Sequence, residues 1–505
     1  MSEKQLKESF VRNLNGTSIS EISLGISITP LCILFRGLIL ISFYQTFGDV
    51  FYSWKYRLFL DFILLVLPQV LSCTVFSDFL ALVVGCISVT CASGLYMIYR
   101  KRIPYKSASL LNVLQSFLNV RIEDRKVPSV TTFRVFLNLL TAISILAVDF
   151  PMFPRRYAKT ETYGTGVMDL GVGCFTFANA LISPEARARH EEKLSPLHRM
   201  KKQLVAVWPL VFLGLARLLS VKAVDYHEHV SEYGVHWNFF FTLAIVRVFS
   251  SFLLTMIPAQ KIWIAATVII SSYQIALETT YLKAFILHGS DNRGTRLGFL
   301  NANREGIFSV IGYVGIYMIG VQVGSYLLKK RTLVKEWAQL LAKFTILSVT
   351  LFISVTIVQV YIEPISRRMV NLPFCIWTIG QCMVWLCMVF FCDLLLLFVQ
   401  YLIPGSRVPS TWNICSRVDS RQKNDSHPKY EKRKKEIDFC LIEAINRNQL
   451  LLFLHSNIMT GVVNLFIDTI HSTSLFSLIV LLVYMFLNCL ISGILHVKNI
   501  TVKWW

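Results

Sequence analysis

PFCIWTIGQCMVWLCMVFFCDLLLLFVQYL, residues 373–402, is the stretch on which the fold turns. Thirty residues pass with Asp393 as the single charge. That exceeds the roughly 20 apolar residues a helix needs to cross the hydrocarbon core of a bilayer. The surplus implies tilt or an interfacial end. Backbone N–H and C=O groups in lipid must be paired within the segment, so the spanning form is a helix.

Outward from this run the pattern repeats. Thirteen candidate spans follow from it: 22–43, 58–75, 77–98, 131–150, 166–183, 204–221, 236–257, 262–280, 306–328, 344–361, 373–402, 448–470 and 474–497. The chain reads as an all-α polytopic membrane protein, a bundle of about 13 transmembrane helices. It forms one membrane-embedded domain over 1–505, with a polar cytosolic loop, 403–440, inside it. Of its 505 residues 54% are hydrophobic and 16% charged, against roughly 45–50% and about 25% in soluble domains. A soluble enzyme, a disordered chain and a secreted disulfide scaffold are excluded.

The net charge is +20. No zinc-finger spacing or nucleic-acid-binding module accompanies it, so no nucleic-acid partner is expected. The basic excess reads as loop charge that orients the chain. Loops after odd-numbered spans, with the tail, hold 33 Lys and Arg; the opposite loops, with the N-terminus, hold 13; Arg36, Arg134, Arg217 and Arg247 lie within spans. That asymmetry puts the C-terminus in the cytosol and the N-terminus across the membrane. Met1–Ser20 is polar, so the first span serves as the insertion signal, and Asn15-Gly16-Thr17 is a glycosylation sequon on the far side. RQKNDSHPKYEKRKKE, residues 421–436, reads as a solvated linker or a lipid-headgroup patch. The 12 Cys are scattered without CxxC pairing, and no metal site is expected.

Polar residues cluster on the sparsely charged, non-cytosolic side. AVDFPMFPRRYAKTETYGTGVMDLGVG, 147–173, carries Asp149, then Pro151 and Pro154, which stop the helix. Arg155, Arg156, Lys159 and Glu161 follow, and Asp169 opens the next span. A carboxylate at a membrane boundary is costly unless paired or used; the alternative is a salt bridge closing a loop. EYGVHWNFFF, 232–241, holds His236 and Asn238, which could equally be hydrogen-bonded members of an aromatic belt. RLGFLNANREGIFS, 296–309, holds Asn301, Asn303, Arg304 and Glu305. Amides and a guanidinium suit hydroxyl-rich and phosphate ligands; a capped helix start explains them too. In NRNQLLLFLHSNIMTGVVNLFIDTIHS, 446–472, the offsets of Asn464 and Asp468 from Asn457 place all three on one helical face. One polar cavity would unite the four groups, as would a transport path. GxSxG, HExxH and Walker A patterns do not occur, so transferase and transporter (or flippase for an anionic lipid or metabolite) both stand on pattern alone.

The segments AVDFPMFPRRYAKTETYGTG, VWPLVFLGLARL, EYGVHWNFFF, GFLNANREG and NRNQLLLFLHSN carry a resemblance over essentially the whole chain. The sequence resembles the inositol acyltransferases of GPI-anchor biosynthesis, the PIG-W family. The resemblance implies a multi-pass enzyme of the endoplasmic reticulum membrane whose polar segments face the lumen. It implies transfer of a fatty acyl group, usually palmitoyl, from acyl-CoA to the inositol 2-hydroxyl of glucosaminyl-phosphatidylinositol. Acyl-CoA is a co-substrate, and no cofactor is expected. The family's proposed catalytic Asp and Lys fall on Asp149 and Lys159.

Acyl transfer to an alcohol needs a base, a partner for the oxyanion and aligned substrates. Asp149 is expected to be the base, and Lys159 is expected to meet it, orienting it or stabilising the oxyanion. Arg155, Arg156 and Arg304 are expected on lipid or CoA phosphates. Asn301, Asn303 and Asn464 are expected on sugar and inositol hydroxyls. Asp169, His236, Asn238 and Asp468 complete the substrate-binding candidates.

Overall fold

A computed structural model describes residues 10, 14–47, 53–101, 109–123, 127–187, 196–224, 230–291, 294–414 and 439–502. Among them twelve helices are long and apolar enough to cross a membrane. In chain order these are α1 (Ile19–Phe47), α2 (Trp54–Cys73, with a π turn at Phe62–Val66), α3 (Leu80–Arg100), α5 (Pro128–Ala147), α7 (Pro196–Val224), α8 (Phe239–Met256), α9 (Ile262–Thr279), α10 (Arg304–Leu327), α11 (Val334–Tyr361), α12 (Leu372–Leu402), α14 (Gln449–Phe466) and α15 (Ser474–Val497). Shorter pieces join them: α4 (Leu110–Leu118), α6 (Leu170–Leu181) and α13 (Leu441–Arg447).

The protein is an all-α polytopic membrane protein, and the expected spans coincide with these helices except in two places. The fifth, 166–183, is the 12-residue α6. At about 1.5 Å per residue α6 is too short to face lipid alone. It is sheathed by α10 and α12 instead, with Gly173 against Thr378, Gly320 against Phe177 and Ala180, and Gly324 against Leu181. Small residues let helix axes approach closely where lipid supplies no hydrophobic drive. The tenth begins ten residues earlier than expected, at Val334, because the amide N–H groups of Thr332 and Leu333 are bound by Glu336.

The long apolar run 373–402 forms α12, the central post. Trp377, Trp385, Phe374 and Phe390 are buried along it, and Trp385 meets Phe133 of α5 edge-on. By contrast α3 and α11 turn large apolar residues such as Leu82, Val89 and Ile346 outward, where lipid would contact them. Arg36 of α1 is inside the bundle, bonded to Asp61 of α2 at 2.6 and 3.0 Å, and Asp61 also accepts the Leu441 N–H of α13.

Bonds between loops, from backbone and side chains, divide them into two faces. On one, Thr17 N–H bonds Thr165 O, Arg156 bonds Glu21 and Asp78, Lys159 bonds Glu232, and Arg368 bonds Glu305. On the other, Ile122 N–H bonds Thr332 O and Glu123 N–H bonds Asn413 O, and Val502 N–H bonds Asn448. Among the described residues, α1 therefore starts at the first face and α15 ends at the second. That requires an odd number of crossings, which α6 supplies. In the expected loop 403–440, Val408, Trp412, Phe439 and Cys440 are buried against the bundle; 415–438, including the basic linker, lie outside the described residues.

Candidate active site

α5 ends at Ala147, and the prolines at 151 and 154 force the following chain into turns. Phe150 and Phe153 are buried beneath it. Arg155 binds the turn together, donating to Val148 O at 2.9 Å, Phe150 O at 2.8 Å and Phe153 O at 2.9 Å, with its guanidinium over the Phe10 ring. Burial pushes its pKa down to about 10, against the pull of Asp149. Arg155, expected on a phosphate, is thus the brace that presents Asp149. The Asp149 carboxylate is half-buried, and Asn464 of α14 donates to its Oδ2 at 2.7 Å.

Lys159 does not take Asp149 as its bonded partner in this arrangement. Its ammonium is 2.6 Å from Glu232 Oε2, while Asp149 is held by Asn464. The expected meeting of carboxylate and ammonium is replaced by two separately anchored groups on the same face. Behind Glu232 is Arg367, which also faces Asp169 at 2.8 Å. Asp169 accepts from Thr160 N, Thr160 Oγ1 and Gly166 N and is fully buried. It serves the protein's own loop.

Other candidates bind the scaffold. Asn238 caps α8 through Phe240 N and Phe241 N and donates to Gly214 O. Asn303 accepts from His236 N and donates to Phe299 O. Asn301 donates to Thr295 O. Arg304, buried, donates to Ile286 O, Thr295 O and Asn301. Arg156 reaches Glu21 and Asp78. Asp468 lies beyond the end of α14, exposed and bonded to His471, so it leaves the helical face shared by Asn457 and Asn464. The bond to His471 holds the Asp468 carboxyl below its usual range.

Two features escaped the sequence. One is the carboxylate network just described, together with Glu363, which accepts from Tyr163, Gln274, Asn371 and Lys283. Its only signal was that Arg367 and Arg368 adjoin on a face with few charges. The other is a cavity of about 660 Å³ walled by α5, α6, α7, α8 and α14. Arg134, Arg187, Arg247 and Arg447 line it, and Phe175, Phe239, Phe240 and Phe453 make its apolar wall. Arg447 and Arg187 belong to the face opposite Asp149. Asn138, on the cavity wall, precedes Asp149 by eleven residues of α5 and its cap, about 16 Å along the helix.

The sequence model of the GWT1 family matches residues 3–495. The chain belongs to the GWT1 family. Among its relatives is a glucosaminyl-phosphatidylinositol-acyltransferase PIGW of Bos taurus, 46% identical over 505 residues and 100% of both chains. The Homo sapiens protein of the same name is 45% identical over the same span. GPI-anchored wall transfer protein 1 of Yarrowia lipolytica is 32% identical over 522 residues, covering 99% of each chain. The residues named on the polar face and the four arginines of the cavity all fall within the stretch that the family model matches in this GWT1-family protein.

Proposed function

We propose that the protein is an acyl-CoA-dependent O-acyltransferase acting on the inositol 2-hydroxyl of glucosaminyl-phosphatidylinositol, with palmitoyl as the acyl group. The observation that carries the chemistry is α5 itself: one end holds a half-buried carboxylate, and the other walls an apolar cavity ringed by four arginines. Guanidinium groups suit the phosphates of CoA, and the aromatic wall suits an acyl chain directed along α5 towards Asp149. The names of the full-length relatives supply the acceptor. The enzyme resides in the endoplasmic reticulum membrane, with the Asp149 face and the N-terminus luminal and the C-terminus cytosolic, as the loop charges favour.

Asp149 takes the proton of the inositol hydroxyl as its oxygen attacks the thioester carbonyl. The new C–O bond forms and the C–S bond breaks. The proton then passes from Asp149 to the departing CoA thiolate, which restores the carboxylate. Lys159 offers its ammonium to the oxyanion that develops on the carbonyl. Asn464 holds Asp149 in the attacking geometry.

The test is acyl transfer by the purified full-length protein in liposomes containing glucosaminyl-phosphatidylinositol, with labelled palmitoyl-CoA outside. Asp149→Asn should keep the wild-type unfolding temperature and lose about 10²–10⁴-fold in rate. A wild-type rate in this variant refutes the base. Movement of the glycolipid across the bilayer without acyl transfer refutes the reaction class and favours transport.

A further inference from the structure

We propose that Glu232 is a positioning residue for Lys159, the last link of a buried chain of alternating charges that aims the ammonium. This rests on the reading of Lys159 as a functional group. The chain runs Asp169, Arg367, Glu232, Lys159, with separations of 2.8, 3.6 and 2.6 Å. Side-chain exposure rises along it from 0% to 6%, 10% and 34%. The four charges cancel, so no outside ion is needed to balance them, and only the ammonium end reaches the half-open surface.

The chain closes on itself. Asp169 receives the N–H and the hydroxyl of Thr160, the residue after Lys159, and Arg367 reaches Thr160 O at 3.5 Å. The backbone beside Lys159 and the tip of its side chain are therefore fixed by one connected set, Asp169, Arg367 and Glu232. A lysine stem has several rotatable bonds and loses much rotamer freedom when held; Glu232 fixes the end that the backbone cannot.

Glu232 is itself pinned. Gly234, two residues on, has φ +108°, and a Cβ there would lie 2.5 Å from Ala302 O and Asn303 Cα. Only glycine permits that approach. Val235 N–H bonds Ala302 O at 3.0 Å, and His236 N–H bonds the Asn303 side chain at 2.8 Å. Asn303, which the sequence suggested as a sugar ligand, holds the Glu232 segment in place.

A group that only aims another acts on turnover more than on substrate affinity. The experiment measures kcat and both KM values of the purified full-length protein with palmitoyl-CoA and glucosaminyl-phosphatidylinositol, and unfolding temperature, for Glu232→Gln, Glu232→Asp and Lys159→Ala. Glu232→Gln keeps the shape and removes the charge. It should lower kcat about 10- to 150-fold, the worth of one hydrogen bond to a charged group, with KM values and unfolding temperature unchanged. Glu232→Asp, which keeps the charge on a shorter arm, should recover part of the loss. Wild-type kcat in Glu232→Gln beside an inactive Lys159→Ala overturns the proposal and leaves the reading of Lys159 standing. A loss that follows KM or unfolding temperature, without recovery in Glu232→Asp, also overturns it. Wild-type turnover in Lys159→Ala removes the reading of Lys159 itself, and the proposal with it.

Discussion

Replacing Asn464 by Ala removes one contact that can be weighed. Asn464 Nδ2 donates to Asp149 Oδ2 at 2.7 Å and to Thr460 O at 3.1 Å. The second carbonyl keeps its place in the helical bonding of α14, so its loss is small. The first bond has an ionised acceptor, and such bonds contribute about 1.5–3 kcal/mol. If that interaction is needed in full at the transition state, kcat falls about 10- to 150-fold. Asp149 is only half-buried, and water competes for its oxygens, so the expected loss is about tenfold. The assay varies glucosaminyl-phosphatidylinositol at saturating palmitoyl-CoA, with the unfolding temperature measured alongside. The structure predicts a lower kcat with unchanged KM for the glycolipid. A raised KM with wild-type kcat refutes this reasoning, because it makes Asn464 a ligand of the acceptor's hydroxyls, the role its position in the sequence suggested.

Arg134→Gln should raise KM for palmitoyl-CoA about tenfold or more, the effect of one lost charge-assisted bond, and leave kcat and the glycolipid KM unchanged; initial rates over both substrates decide it. Stability should also carry a pH signature from Glu363 and Lys283. Burial pushes the Glu363 carboxyl up, but bonds from Lys283, Asn371, Tyr163 and Gln274 outweigh it and hold it below its usual 4.5. Burial pushes Lys283 down, yet Glu363 more than offsets this and holds it above 10.5. A lowered carboxyl contributes stability above its unfolded pKa and loses it as pH falls through the folded one. A raised ammonium contributes below its unfolded pKa and loses its share as pH rises through the folded one. The contribution is therefore whole between these limits, and Glu363→Gln should flatten both the acid and the alkaline fall in unfolding temperature.

The bundle was legible because lipid leaves the chain few choices. A run such as 373–402 has no other way to satisfy its backbone, and the Lys and Arg of the loops mark the sides. Glu336 marked where α11 starts, although hydropathy alone placed it ten residues late. The same hydropathy over-extended the fifth span. Residues 166–169 look like the start of a crossing, but Asp169 turns back to cap the Thr160 loop, and the short helix that remains is tolerable only because α10 and α12 shield it.

Segments that bear the candidate site were also legible, as clusters of polar residues at membrane boundaries, and the family resemblance singled out Asp149 and Lys159 among them. Partners did not. Asn464 is 315 residues from Asp149, and Glu232 is 73 from Lys159. Sequence by itself determined the membrane class, the helical crossings and the face on which charge gathers, because these depend on local free energies of transfer into lipid. Tertiary structure alone decided which amide braces the carboxylate, which carboxylate holds the ammonium and where four arginines converge on a cavity. Those depend on how distant helix ends pack together, and no local pattern of residues encodes that.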